Sequence, residues 1–130
     1  MTDKSKKILV VDDEIHILHV ISLKLRNAGF EVLTARDGRE ALELAQLELP
    51  DLIITDYQMP YLSGLELCCK LKRINSTSNI PAIMLTARGF SLDPAEITAA
   101  GISLCINKPF GPRELLAVVN EILAPMPTSF

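Results

Sequence analysis

Short aliphatic and β-branched runs at Lys7–Val11, Glu31–Ala35, Leu52–Thr55, Ala82–Leu85 and Leu104–Ile106 alternate along the chain with stretches of helical period. This alternation restricts the fold more than any other feature, because strands that take turns with helices are joined by crossovers and lie parallel. The runs are mostly continuous in apolar character, as strands covered by helices on both faces require. Between and after them, Ile17, Leu18, Ile21 and Leu25 share a helical face. So do Leu42, Ala45 and Leu49, then Leu67, Cys68, Leu71 and Ile74, then Leu115, Val119, Ile122 and Leu123. Asp37 with Glu40, Ser63 with Glu66 and Asp93 with Glu96 have capping-box spacing at helix starts, and Pro94 suits a first helical position. Gly29, Pro50 and Gly101 mark helix ends or the turns beyond them.

Five β-α units joined by right-handed crossovers predict a flavodoxin-like (βα)5 three-layer sandwich with a parallel five-stranded sheet of order 2-1-3-4-5. A length of 130 residues is that of one domain. That domain is expected over residues 1–124, with 125–130, which includes Pro125 and Pro127, as a disordered tail or the start of a linker.

Charge and cysteine usage narrow the setting. A formal net charge of -3 leaves no basic surplus to neutralise phosphates, so neither direct nucleic-acid binding nor an acidic membrane surface is expected. Three cysteines, two of them adjacent (Cys68, Cys69) and the third at Cys105, form neither a disulfide framework nor a metal-type spacing. A reduced, cytoplasmic location follows as the expectation. Met1 to Lys7 has no apolar core like that of a signal peptide, and no apolar run approaches the roughly 20 residues that span a bilayer.

In open α/β sheets, ligands bind outside the carboxyl ends of the strands, where strand order reverses. The residues there are polar: Asp12, Asp13 and Glu14 follow the first run, Asp56 the third, Thr86 the fourth and Lys108 the fifth. Three carboxylates in one crevice repel one another unless a cation sits among them. Oxygen ligands with open positions favour magnesium. Such a site suits a phosphoryl group, with an ammonium as a second positive charge, a hydroxyl as donor and one carboxylate as nucleophile for a mixed anhydride.

Four motifs then appear in order: Leu9-Val10-Val11-Asp12-Asp13-Glu14, Asp56-Tyr57-Gln58-Met59-Pro60 with Gly64, Met84-Leu85-Thr86-Ala87-Arg88, and Asn107-Lys108-Pro109-Phe110. With these, the chain resembles a response-regulator receiver domain of two-component signalling from Lys7 to about Leu123. The resemblance implies that Asp56 accepts a phosphoryl group from a histidine kinase or a histidine phosphotransfer protein. It implies Mg2+ held by Asp13, Asp56 and the main-chain carbonyl of Gln58, with Asp12 acting mainly through a metal-bound water. Lys108 pairs first with Asp56 and then with a phosphoryl oxygen, Thr86 donates its hydroxyl to another, and the Lys108–Pro109 peptide is cis. The protein is then a signalling phosphoacceptor, a monomer or weak dimer that acts on a downstream protein target, and not an enzyme in the metabolic sense.

Other readings compete. A phosphorylation-independent pseudo-receiver shares the fold. A flavodoxin-type electron carrier needs an uncharged phosphate loop, where this chain has Asp12-Asp13-Glu14. A haloacid-dehalogenase-type phosphatase carries its nucleophile after the first strand, whereas Asp56 follows the third. His16 and His19 read as ordinary helix-surface residues, one of Cys68 and Cys69 as facing inward, and Met59 and Phe110 as local packing.

The chain also departs from the family pattern. Cys105 stands where many receivers have a switching aromatic ring, so weak coupling through this residue is expected. Ser103, Leu104 and Val118 replace the charged contributors of a common dimer interface, and Pro94 predicts a short fourth helix. Gln58 and Arg88 flank the expected path of a hydrolytic water and are expected to set the phosphoryl lifetime. With the resemblance using the chain to about Leu123, a stand-alone regulator or a receiver cut from a longer protein is expected.

Overall fold

Along the first strand, β1 (Lys7–Val11), side chains alternate between two separate apolar cores: Leu9 and Val11 enter one, Ile8 and Val10 the other. A strand can do this only when helices cover both faces of the sheet. In the computed structural model, which describes residues 6–86, 93–108 and 110–123, the remaining elements supply that cover. They are α1 (Ile15–Asn27), β2 (Glu31–Ala35), α2 (Gly38–Glu48), β3 (Leu52–Asp56), α3 (Gly64–Lys72), β4 (Ala82–Thr86), α4 (Pro94–Ala99), β5 (Ile102–Asn107) and α5 (Pro112–Leu123).

The sheet order is β2-β1-β3-β4-β5 and every pairing is parallel, as the alternation of elements predicts. One core packs Ile53, Met84 and Ile102 against Ala41 and Ala45 of α2 and Leu67, Cys68 and Leu71 of α3. The other packs Ile54, Ile83 and Leu85 against Leu18, Ile21 and Leu25 of α1 and Leu115 and Val119 of α5. Burial of these side chains contributes on the order of 1.5–3 kcal/mol each and is the main force holding the layers together.

Strand ends and helix starts differ from the sequence expectation in specific places. β3 and β4 each run one residue further, so that Asp56 and Thr86 belong to the ladder, and β5 is longer at both ends. Leu49 does not join the inward face of α2; it caps the helix in the left-handed region (φ 49°) with its side chain half exposed. Asp37 and Ser63 cap as expected, with a full capping box at Ser63 and Glu66. Asp93 caps α4 through the N–H of Ala95 rather than that of Glu96, and α4 is short, at six residues.

The loop from β3 to α3 is tightly built. Tyr61 has φ 71°, and the Leu62 N–H donates to the Pro60 carbonyl at 2.8 Å, an uncommon and strained γ-turn for a residue with a side chain. The Arg39 guanidinium of α2 lies 4.0 Å from the Tyr61 ring centroid. At the loop's end, a Cβ on Gly64 would collide with the Asp56 carbonyl oxygen and lie 2.8 Å from Met84 Sδ. Only glycine lets α3 begin this close to the end of β3. Among the described residues, no helix is long and apolar enough to cross a membrane.

Candidate functional site

Each polar residue flagged by its place after an apolar run lies at the carboxyl edge of the sheet, and the central strands bring several of them together. Asp12 follows β1 and is fully buried. Its Oδ1 accepts the Glu14 N–H at 2.9 Å, and its own N–H donates to the Ala35 carbonyl at 3.2 Å. This fixes the turn into α1 and leaves Oδ2 facing the crevice, 3.3 Å from Lys108 Nζ. Asp56, the last residue of β3, is nearly buried and holds Oδ1 3.0 Å from the same ammonium. Asp13 is exposed, yet one oxygen from each of Asp12, Asp13 and Asp56 lies within 4.8 Å of the other two.

Lys108 thus bridges two carboxylates, where the sequence expectation paired it with Asp56 alone. Its position is set by the backbone, since its N–H donates to the Thr86 carbonyl at 2.7 Å. Thr86, the buried last residue of β4, donates its hydroxyl to Asn107 Oδ1 at 2.8 Å. Gln58 is exposed in the loop after β3. That loop is tied to the sheet by the Tyr57 N–H donating to the Leu85 carbonyl at 2.9 Å and the Gly64 N–H donating to the Tyr57 carbonyl at 2.8 Å.

The electrostatics are those of an over-crowded anionic site. Burial pushes the Asp12 carboxyl above its ordinary value; the neighbouring Asp56 charge adds to this, while the Glu14 N–H and Lys108 oppose it. Burial also pushes Asp56 up, against the hydrogen bond and charge of Lys108, with Asp13 adding to the rise. For Lys108, burial acts downward, but its hydrogen bonds and charge interactions with Asp56 and Asp12 outweigh it and the ammonium is held above its usual range. Three carboxylates against one ammonium leave an excess of negative charge. A hard, oxygen-only donor set of this kind fits a magnesium ion and suits no soft metal.

Two clefts lie away from these side chains among the described residues, one of about 760 Å³ beside Arg39, Leu47 and Tyr61, another of about 540 Å³ between α1 and the start of α5 at Leu23 and Pro112.

His16 and His19 are exposed on α1. Cys68 is buried and Cys69 half buried, as expected of packing residues, and burial pushes the Cys68 thiol up to about 12. Met59 and Phe110 each pack against a core. Arg88, the Lys108–Pro109 peptide and the tail 125–130 lie outside the described residues. Sequence reasoning missed Asn107 as a partner of Thr86; its signal was a polar amide at the end of a strand, directly before the lysine.

These observations describe a doubly wound parallel α/β domain with clustered aspartates at its switch point, an ammonium bridging two of them and a strand-end hydroxyl, a class that includes signalling modules. The model of one family of that class, the response regulator receiver domain, matches residues 8–120. The chain belongs to this family, whose domains work in two-component signalling.

It is 44% identical over 123 residues to the probable transcriptional regulator ycf27 of Cyanophora paradoxa, covering 95% of this chain and 50% of that one. It is 42% identical over 119 residues to the alkaline phosphatase synthesis transcriptional regulatory protein PhoP of Bacillus subtilis, covering 92% and 49%. The chain therefore spans about half the length of these curated relatives. Among solved structures, the chemotaxis response regulator CheY4 of Vibrio cholerae is similar at a TM-score of 0.85 and 38% identity, covering 92% of this chain and all of that one. The receiver domain of the sensor histidine kinase PA1611 from Pseudomonas aeruginosa, solved with a magnesium ion coordinated in its active site cleft, is similar at 0.83 and 27%, covering 94% and 100%.

Proposed function

We propose that this domain, spanning residues 1–124, accepts a phosphoryl group on Asp56 from a phosphorylated histidine of a kinase or a histidine phosphotransfer protein and thereby switches a protein-interaction surface. The observation that carries this reading is the Asp56 carboxylate, 3.0 Å from Lys108 Nζ and grouped within 4.8 Å with the oxygens of Asp12 and Asp13.

An Asp56 oxygen attacks the phosphorus of the phosphohistidine; the O–P bond forms as the P–N bond breaks, and the imidazole leaves with the bonding pair and takes up a proton. Lys108, freed from its pairing with Asp56, follows the charge to a phosphoryl oxygen, and the Thr86 hydroxyl turns to donate to another. Asp12, Asp13 and Asp56, with the main-chain carbonyl of Gln58, are the groups that would hold magnesium. When bound, the ion supplies the positive charge that lets a phosphoryl dianion enter an acidic crevice.

The added dianion then biases the loops that carry Thr86 and Lys108, and the readout is a change of binding surface. A downstream protein or a further domain reads it. The receiver itself makes no direct nucleic-acid contact, in keeping with 16 acidic against 13 basic residues, and works in the cytoplasm as a monomer or weak dimer. A pseudo-receiver is not favoured, because carboxylates, ammonium and hydroxyl all sit at one edge of the sheet.

Incubation with magnesium and acetyl phosphate, followed by intact mass, tests the proposal. One phosphate adduct is expected, absent in Asp56→Asn and in excess chelator. No adduct, or one that persists in Asp56→Asn, refutes it.

A further inference from the structure

Thr86 and Asn107 face each other in the β4–β5 ladder at the carboxyl ends of both strands. Register partners in a sheet stand on the same face, and the pair one step of two residues back, Met84 and Cys105, packs on a single core. The hydroxyl of Thr86, buried at 2% exposure, donates to Asn107 Oδ1 at 2.8 Å, and the adjoining Lys108 N–H ties the same strand ends together at 2.7 Å.

A threonine hydroxyl carries one proton. It can satisfy the asparagine amide or a phosphoryl oxygen on Asp56, but not both. The two partners also differ when they separate: Asn107 is exposed and its amide oxygen is taken over by water, whereas the buried Thr86 donor needs the new acceptor.

We propose that Asn107 is a latch on Thr86, a positioning residue that holds the hydroxyl away from Asp56 until a phosphoryl group competes for it. The inference rests on the reading of Asp56 as phosphoacceptor and of Thr86 as its hydroxyl donor. It also gives this chain a restraint where its sequence provides no ring: two residues before Asn107 stands Cys105, half buried and too small to fill or vacate a space as the threonine moves. The latch sets how readily the domain switches, since breaking one neutral hydrogen bond lowers the population of the switched state by roughly 2- to 12-fold.

The test is a double-mutant cycle on the folded domain, with beryllofluoride as a tetrahedral phosphoryl mimic in the presence of magnesium and binding read by calorimetry and fluorine NMR. Asn107→Ala, and independently Asn107→Leu, are expected to bind beryllofluoride roughly 2- to 12-fold more tightly than the parent, with magnesium affinity in its absence unchanged. In a Thr86→Val background the same substitutions are expected to change nothing. Unchanged or weaker binding in both Asn107 variants, or equal tightening in the Thr86→Val background, overturns the latch while leaving the phosphoacceptor intact. Failure of the parent to bind beryllofluoride at all, together with no acetyl phosphate adduct, overturns the phosphoacceptor reading and the latch with it.

Discussion

Without metal, replacing Asp56 by asparagine should make the protein more stable, even though it removes an ion pair. At an effective dielectric constant of about 20, attraction between Asp56 Oδ1 and Lys108 Nζ at their 3.0 Å separation is about 5.5 kcal/mol, while repulsion from a carboxylate oxygen within 4.8 Å is about 3.5 kcal/mol or more. Desolvation of a nearly buried carboxylate adds several kcal/mol against the charged form. The two unfavourable contributions exceed the favourable one, which is why burial leaves the Asp56 carboxyl raised despite the lysine beside it. Lys108 keeps a partner in Asp12 at 3.3 Å, so no orphaned ammonium offsets the gain.

We expect Asp56→Asn to gain about 1–2 kcal/mol at pH 7 in chelator, or about 3–8 °C in Tm. Urea unfolding followed by far-ultraviolet circular dichroism measures it. The sign with pH is fixed: a carboxyl whose folded pKa is raised contributes stability below its unfolded pKa and loses it as pH rises through the folded value. The advantage of the variant should therefore shrink toward zero as pH falls below the carboxyl range. Magnesium should stabilise the parent more than the variant. A variant less stable than the parent in chelator at pH 7 would show that the Lys108 attraction dominates and refute the reasoning.

Other substitutions probe separate parts of the molecule. Ser22 is buried on α1 at 3% exposure with no hydrogen-bond partner for its hydroxyl among the described residues, so Ser22→Ala should stabilise by about 1 kcal/mol in urea unfolding; destabilisation would show a hidden partner. Gly64→Ala should lose about 1–3 kcal/mol by forcing α3 off the Asp56 carbonyl, and should slow adduct formation by acetyl phosphate, whereas parent-like stability would mean the loop yields freely. Gln58→Ala should speed loss of the phosphoryl group, timed by intact mass, if its exposed side chain screens the path of a hydrolytic water; an unchanged lifetime counts against that role. Cys105→Ala should leave phosphorylation-dependent partner binding unaltered in a pull-down where Asp56→Asn abolishes it, and loss in both variants would make the thiol part of the switch.

Much of the fold could be read from periodicity because both faces of the sheet are buried. Continuous aliphatic runs such as Ile8–Val11 and Ile53–Ile54 have no other soluble home. The pattern failed where hydrogen bonding rather than burial sets the boundary: Asp56 and Thr86 continue the ladder although they are polar, because a strand end is defined by backbone partners. Edge strand β5 was underestimated for a related reason. Its burial is uneven, with Ser103 and Leu104 exposed and a register irregularity opposite Ala82 and Ile83, so apolar content alone marks only its middle. Leu49 was assigned to the inward face of α2 by spacing, but the left-handed cap turns the chain before that residue can follow the helix.

In the candidate site, the carboxylates, Thr86 and Lys108 were legible because each stands within two residues of the end of an apolar run. Lys108's second partner and the Thr86–Asn107 bond were not, since both depend on how adjacent strand ends register. No spacing in a linear sequence encodes that distance.

The ion pair between Lys108 and Asp12 joins residues 96 positions apart, and between them lie all four connections between strands of the sheet. Contacts of such long range form late, after the loops they close have been organised. On a ribosome Asp12 emerges early, whereas its lysine is made only after all five strands have been synthesised. Until β5 joins the sheet, Asp12 and Asp56 thus lack the ammonium that bridges them in the folded domain. If Asp56 is the phosphoacceptor as proposed, receptivity to a phosphoryl donor doubles as a report that the sheet has closed.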